Sequence, residues 1–135
     1  MYIRWEIMEV MNSNSQKHIL IVDDDEETRT LLKRILGTWK PDYRVITASS
    51  GFIAMDRLMQ QRFDLIVTDW HMKDMDGLEL AEIVHSMLPD MRILLMSGSS
   101  TSDLDSEAKS LLTGWIEKPF TPTNVLSMIE KIIMN

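Results

Sequence analysis

From residue 18 onward the chain alternates between two hydrophobic periods. Ile19-Leu20-Ile21-Val22, Val45-Ile46-Thr47-Ala48, Leu65-Ile66-Val67-Thr68, Ile93-Leu94-Leu95-Met96 and Trp115-Ile116 are short apolar runs with β-branched members. That is the pattern of strands covered on both faces. Between and after them, apolar residues recur at helical spacing: Leu31, Leu32, Ile35 and Leu36; Phe52, Met55 and Met59; Leu80, Ile83, Val84, Met87 and Leu88; Leu104, Ala108, Leu111 and Leu112; Val125, Ile129, Ile132 and Ile133. Five strands and five helices are predicted. Asp76 with Glu79, Ser102 with Asp105, and Thr121 ahead of Pro122 have the chemistry of helix N-termini. The fourth helix, led in by the polar residues 99–103, is expected to be loosely tied.

Strict strand–helix alternation with short connections requires parallel strands and right-handed crossovers, hence a doubly wound α/β sheet with helices on both faces. Among the orders these rules leave open, 2-1-3-4-5 is the one adopted. In such sheets ligands bind beyond the carboxyl ends of the strands, near the switch in strand order.

Residues 1–17 differ from the rest. Ile3, Trp5, Ile7 and Met8 mix with charges, and Asn12-Ser13-Asn14-Ser15-Gln16 has linker composition. An N-terminal extension or linker over 1–17 and one domain over 18–135 are expected, as 135 residues suffice for a single core. The formal charge of −7, without a strong basic patch, argues against direct nucleic-acid binding and anionic lipid surfaces. Lys33-Arg34 reads as a solvated helix flank, and His18 and His85 as surface histidines. No run reaches the roughly 20 apolar residues of a membrane span, so no membrane insertion is expected and the location is expected to be cytoplasmic. With no Cys, thiolate and disulfide chemistry is excluded. The 12 Met read as filler for irregular core gaps.

Chemistry gathers where the strands end. The first strand runs into Asp23-Asp24-Asp25, the third into Asp69, the fourth into Ser97-Gly98 and the fifth into Glu117-Lys118-Pro119. Singly, each has an ordinary explanation: an acidic turn capping a helix, a turn aspartate, a loop-bonded serine, a surface lysine. Parallel topology nevertheless brings Asp24, Asp69, Ser97 and Lys118 to one rim. Clustered carboxylates raise one another's pKa unless a cation is present, and an oxygen-only donor set favours a hard ion, Mg²⁺ above all. A cation, an ammonium and a hydroxyl around a free carboxylate suit a phosphoryl group, with Asp69 as nucleophile.

Ile19-Leu20-Ile21-Val22-Asp23-Asp24-Asp25, Asp69-Trp70-His71-Met72-Lys73-Asp74-Met75-Asp76-Gly77, Ser97-Gly98 and Lys118-Pro119-Phe120 together resemble the receiver domain of two-component response regulators, over residues 18–135. The resemblance implies a flavodoxin-like (βα)₅ fold and the same 2-1-3-4-5 order. It implies that Asp69 accepts a phosphoryl group from a phosphohistidine of a sensor histidine kinase or phosphotransfer protein. It also implies that Asp24 and Asp69 bind Mg²⁺ directly, Asp23 largely through water, and His71 through its backbone carbonyl. Ser97 would bond the phosphoryl oxygens, Lys118 would pair with them, and Trp115 would be the aromatic switch. Lys118-Pro119 stands where the family typically has a cis peptide bond. Phosphorylation adds charge and acceptor oxygens at Asp69, drawing Ser97 and its loop inward and reshaping a face made of the fourth helix, fifth strand and fifth helix. An output partner or a homodimer is expected on that face.

Four positions depart from, or vary within, the family pattern. Lys73 stands where proline is usual, and Trp115 where Tyr or Phe is usual. His71 and Ser99 occupy positions that in the family tune how fast phosphate is lost. A pseudo-receiver, the same fold binding partners without phosphorylation, is the alternative reading. A phosphoaspartyl phosphatase would want a second carboxylate two residues after Asp69, where His71 stands. Because the sequence ends with the fifth helix, the chain is expected to be a stand-alone receiver or a piece of a larger regulator or hybrid kinase.

Overall fold

Side chains that alternate along a strand fall on opposite faces of the sheet, and this alternation divides the core in two. The computed structural model describes residues 16–134. They form β1 (Lys17–Val22), α1 (Glu26–Trp39), β2 (Tyr43–Ala48), α2 (Gly51–Gln60), β3 (Leu65–Asp69), α3 (Gly77–Met87), β4 (Ile93–Ser97), a 3₁₀ turn (Thr101–Asp103), α4 (Ser106–Ser110), β5 (Gly114–Glu117) and α5 (Pro122–Met134). All strand pairs are parallel and the order is β2-β1-β3-β4-β5. Of the expected extension, residues 1–15 lie outside the described residues, and Lys17 already belongs to β1.

On one face Ile19, Ile21, Leu65, Val67, Leu94 and Met96 meet Leu32, Ile35 and Leu36 of α1 and Val125, Ile129 and Ile132 of α5. On the other, Leu20, Val22, Ile66 and Ile93 meet Ala54 of α2 and Leu80, Ala81 and Val84 of α3. The central strands β1, β3 and β4 are thus buried on both faces. Their fully buried Leu and Ile side chains each contribute about 1.5–3 kcal/mol of transfer free energy.

Several helical stripes are rotated from the sequence expectation. In α2 the buried residues are Gly51 and Ala54, whereas Phe52 and Met59 are 61% and 79% exposed. Small residues let α2 lie close to the sheet, where Met75 and Phe63 already fill the space. Leu31, Met87 and Leu88 also face outward, and Leu88 is the C-cap of α3, outside the helix. Among the methionines, Met75 and Met96 are core, while Met59, Met87 and Met134 are exposed.

Caps fix where each helix begins. Asp25 caps α1, Ser50 caps α2, and Asp76 with Glu79 forms a reciprocal capping box on α3. Thr121 accepts from Asn124 N–H at the start of α5, whose first residue is Pro122. At the fourth helix the cap is Asp105, accepting from Ala108 N–H, and Ser102 instead lies in the preceding 3₁₀ turn. The helix has five residues and buries none of them. Leu104 is buried but precedes it, and Leu111 and Leu112 follow it.

One glycine sets the approach of α3 to the site. A Cβ on Gly77 would collide with the backbone carbonyl oxygen of Asp69, and Gly77 N–H donates to Trp70 O at 2.8 Å. Gly77→Ala therefore pushes the start of α3 away from the end of β3. We expect a loss of about 1–3 kcal/mol in urea denaturation, with an unchanged m-value; a variant as stable as the parent would contradict this packing.

Candidate functional site

Asp23 follows β1, and Asp69 ends β3, the strand next to it. Adjacent parallel strands of matched register therefore place both carboxylates side by side at the carboxyl rim. Asp23 and Asp69 are 1% and 8% exposed, while Asp24 points to solvent. Ligand atoms of Asp23, Asp24 and Asp69 all lie within 4.8 Å of one another.

Lys118 comes to these carboxylates from β5, two strands away from β3. Its N–H donates to Ser97 O at 2.6 Å and the Lys118-Pro119 bond is cis. Its Nζ lies 3.0 Å from Asp69 Oδ1 and 3.2 Å from Asp23 Oδ2. Asp23 is held further by Asp25 N–H at 2.9 Å, and its carbonyl accepts from Arg29 Nη1 at 2.8 Å. Four of the sequence-predicted residues, Asp23, Asp24, Asp69 and Lys118, are thus brought together.

Burial is the main reason the Asp69 carboxyl is pushed above the usual carboxylate range; the Lys118 hydrogen bond opposes this, but the charges on Asp23 and Asp24 add to it. For Lys118, burial favours the neutral amine, but the hydrogen bond to Asp69 and the charges of Asp23 and Asp69 outweigh it, so its pKa is raised. Three carboxylates against one ammonium leave uncompensated negative charge. Together with the all-oxygen donor set, this fits a hard divalent cation. The His71 carbonyl accepts no backbone hydrogen bond among the described residues.

Ser97, fully buried at the end of β4, is engaged by its own loop. Its hydroxyl donates to Ser99 O at 2.8 Å and accepts from Ser99 N–H at 3.1 Å. His71 Nε2 lies 3.3 Å from Ser99 Oγ, and the His71 ring stacks on Trp70 with centroids 4.7 Å apart. Trp115 is half-buried in β5 beside Leu95, with the Lys109 ammonium 5.4 Å from its ring centroid.

Other contacts at the rim were not read from the sequence. Glu117 accepts from both N–H and Oγ1 of Thr101, at 2.9 Å each, and these bonds hold its carboxyl below the usual range. Lys73 N–H donates to Asp24 Oδ2 at 3.3 Å. Asp74 has φ 68°, and Met75 N–H bonds back to Lys73 O across it at 2.8 Å, a γ-turn centred on a non-glycine residue. An aspartate is a better occupant of positive φ than most residues, the only hint of this turn along the chain.

A doubly wound 2-1-3-4-5 sheet with acidic groups and one lysine at its carboxyl rim defines a class of α/β signalling domain. The chain belongs to the response regulator receiver domain family, whose profile matches residues 19–130. The response regulator receiver protein CpdR of Brucella abortus is 33% identical over 124 residues, covering 87% of this chain and 98% of that protein. The transcriptional regulatory protein ZraR of Klebsiella oxytoca is 35% identical over 108 residues, 79% of this chain but 24% of that longer protein. Among solved structures, the chemotaxis protein CheY4 of Vibrio cholerae matches with a TM-score of 0.80 at 29% identity, covering 87% of this chain and 98% of that one. The response regulator TrrA of Thermotoga maritima, solved in complex with Mg²⁺-BeF, matches with a TM-score of 0.78 at 28% identity, covering 87% and 99%. Among the described residues no helix is long and apolar enough to cross a membrane.

Because the folded Asp69 binds its proton more tightly than the unfolded chain does, metal-free stability is lost as pH rises from the ordinary aspartate range through the raised value. Asp69→Asn removes that loss. In EDTA at pH 7 we expect the variant to melt above the parent, and the gap to close on acidification toward the ordinary aspartate range. A variant melting below the parent at pH 7 would show that Lys118 more than offsets burial and repulsion.

Proposed function

We propose that the chain is a phosphoaccepting receiver of a two-component phosphorelay. The phosphodonor is a phosphohistidine on a sensor histidine kinase or phosphotransfer protein. In the transfer, a carboxylate oxygen of Asp69 attacks phosphorus, the O–P bond forms as the N–P bond breaks, and the imidazole leaves with a proton taken from solvent. The observation that carries the reading is Lys118 Nζ lying between Asp69 and Asp23, a fixed cation beside a buried carboxylate of raised pKa.

In this reading Asp23, Asp24, Asp69 and the backbone carbonyl of His71 hold Mg²⁺, which supplies positive charge against the phosphoryl oxygens. Lys118 pairs with the modified Asp69, which requires it to share its ammonium less with Asp23. Ser97 gives up its bond to Ser99 O and donates to a phosphoryl oxygen instead. The 3₁₀ turn and α4 bury none of their own residues, with buried Leu104 anchoring the link between them, so their exposed polar contacts follow at low cost. Trp115, half-buried and covered by Lys109, is the aromatic element of the switch. The face of α4, β5 and α5 then changes shape, and an output partner or a second copy reads it. Residues 18–135, with Lys17 at the start of β1, act as the receiver and the segment before them as an extension or linker, in the cytoplasm. The activity is signalling; catalysis is confined to the domain's own phosphorylation and dephosphorylation.

Incubation with a small phosphodonor and Mg²⁺ tests this by intact mass. One phosphoryl mass should appear on the parent and be abolished by Asp69→Asn or by chelation. Lys118→Met should slow its appearance about a hundredfold, as for loss of one charge-stabilising donor. No mass gain on the parent would overturn the reading in favour of a phosphorylation-independent binding module.

A further inference from the structure

Three carboxylates line the rim, but the protein holds them very unequally. Asp23 is bonded to Asp25 N–H and to Lys118, and Asp69 to Lys118. Asp24 is exposed, and the only hydrogen bond it receives among the described residues comes from the backbone N–H of Lys73, 49 positions along the chain, at 3.3 Å to Oδ2. We propose that the Lys73 amide, aimed by the turn at Asp74, is the group that positions Asp24 for its cation. This rests on the Mg²⁺ reading above and adds to it a determinant that lies in the backbone, not in the lysine side chain.

An exposed aspartate turns freely about its side-chain bonds, and a ligand that must be ordered on binding costs affinity. A carboxylate has two oxygens, so a donor on Oδ2 selects a rotamer and still leaves Oδ1 without a hydrogen bond from the described residues. Outer partners of this kind orient the ligands of metal sites.

The amide is itself held. Lys73 O accepts from Met75 N–H at 2.8 Å across Asp74, whose φ of 68° an L-residue rarely adopts. Such a conformation persists when its surroundings over-determine it, and two anchors do so. Met75 is buried against Gly51, where a Cβ would come within 2.6 Å of its sulfur. Beyond it, Gly77 N–H closes the loop onto Trp70 O at 2.8 Å. The strained turn therefore fixes the direction of the Lys73 N–H, and the exposed ammonium of residue 73 is not required. Any residue with an N–H serves there; proline does not.

The test uses the full chain, Mg²⁺ titrations by calorimetry, and melting in EDTA as the check on folding. Lys73→Ala keeps the amide and should bind Mg²⁺ within about twofold of the parent. Replacing the 72–73 peptide bond by an ester in the Lys73→Ala background removes the N–H donor without changing a side chain, and should weaken Mg²⁺ binding about tenfold, as loss of an outer partner does, with little change in EDTA melting. Asp74→Gly relaxes the turn; it should raise the EDTA melting temperature and yet weaken Mg²⁺ binding. Opposite signs on stability and affinity are what a merely structural loop would not produce. An ester variant that binds as tightly as its amide counterpart, or a Lys73→Ala variant weakened as much as the ester, overturns the inference while leaving the Mg²⁺ reading intact. A parent chain that takes up no Mg²⁺ overturns both.

Discussion

Two buried carboxylates from neighbouring strands share a single ammonium, and the rest of the molecule is arranged so that this is possible. Asp23 and Asp69 meet because β1 and β3 are adjacent and parallel. Their repulsion in a half-desolvated site must be offset, and the offsetting charge comes from beyond β5. Lys118 arrives only because β4 pairs with both β3 and β5, with its N–H tied to Ser97 O. One ammonium is insufficient for three acids: burial is the main cause of the raised pKa of Asp69, and the charges of Asp23 and Asp24 add to it. That residual charge is the physical basis for placing a divalent cation there.

The loops around this centre are held to different degrees, which separates a rigid half of the rim from a compliant one. The β3–α3 loop is pinned by buried Met75, by the γ-turn at Asp74 and by the close approach of Gly77 to Asp69. The β4–α4 segment is tied by polar contacts: Ser97 to Ser99, Ser99 to His71, and Thr101 to Glu117. It leads into a helix with no buried residue. Apart from those of the buried Ser97 hydroxyl, these contacts lie at a wet surface and exchange for water at little net free energy, so motion is cheapest on the side where the proposed function has Ser97 rearrange. In the proposed function, ligand placement belongs to the rigid half and switching to the compliant half.

Much of this was legible in the chain. Asp23, Asp24, Asp69, Ser97 and Lys118 each sit at the end of an apolar run, and parallel topology sends all such ends to one edge. The positions of α2 and α4 were less legible. In α2, large apolar residues and small ones occupy neighbouring helical strips. Periodicity proves a helix but does not say whether Phe52 and Met59, or Gly51 and Ala54, meet the core. That choice depends on how much space Met75 and Phe63 leave. At α4, Leu104 is buried from an extended segment, so helical spacing from Leu104 to Leu112 overstated the helix.

The amino-acid order alone determined the number and sequence of strands and helices and the identity of the residues at the strand ends, because hydrophobic period and capping are local properties. It did not determine how firmly each of those residues is held. The pull of Lys118 on two acids, the contact of Ser99 with His71, the bonds of Thr101 to Glu117 and the Lys73 amide facing Asp24 join residues remote in the chain. Only packing sets the distances between them, and Coulomb and hydrogen-bond energies depend on distance, not on sequence.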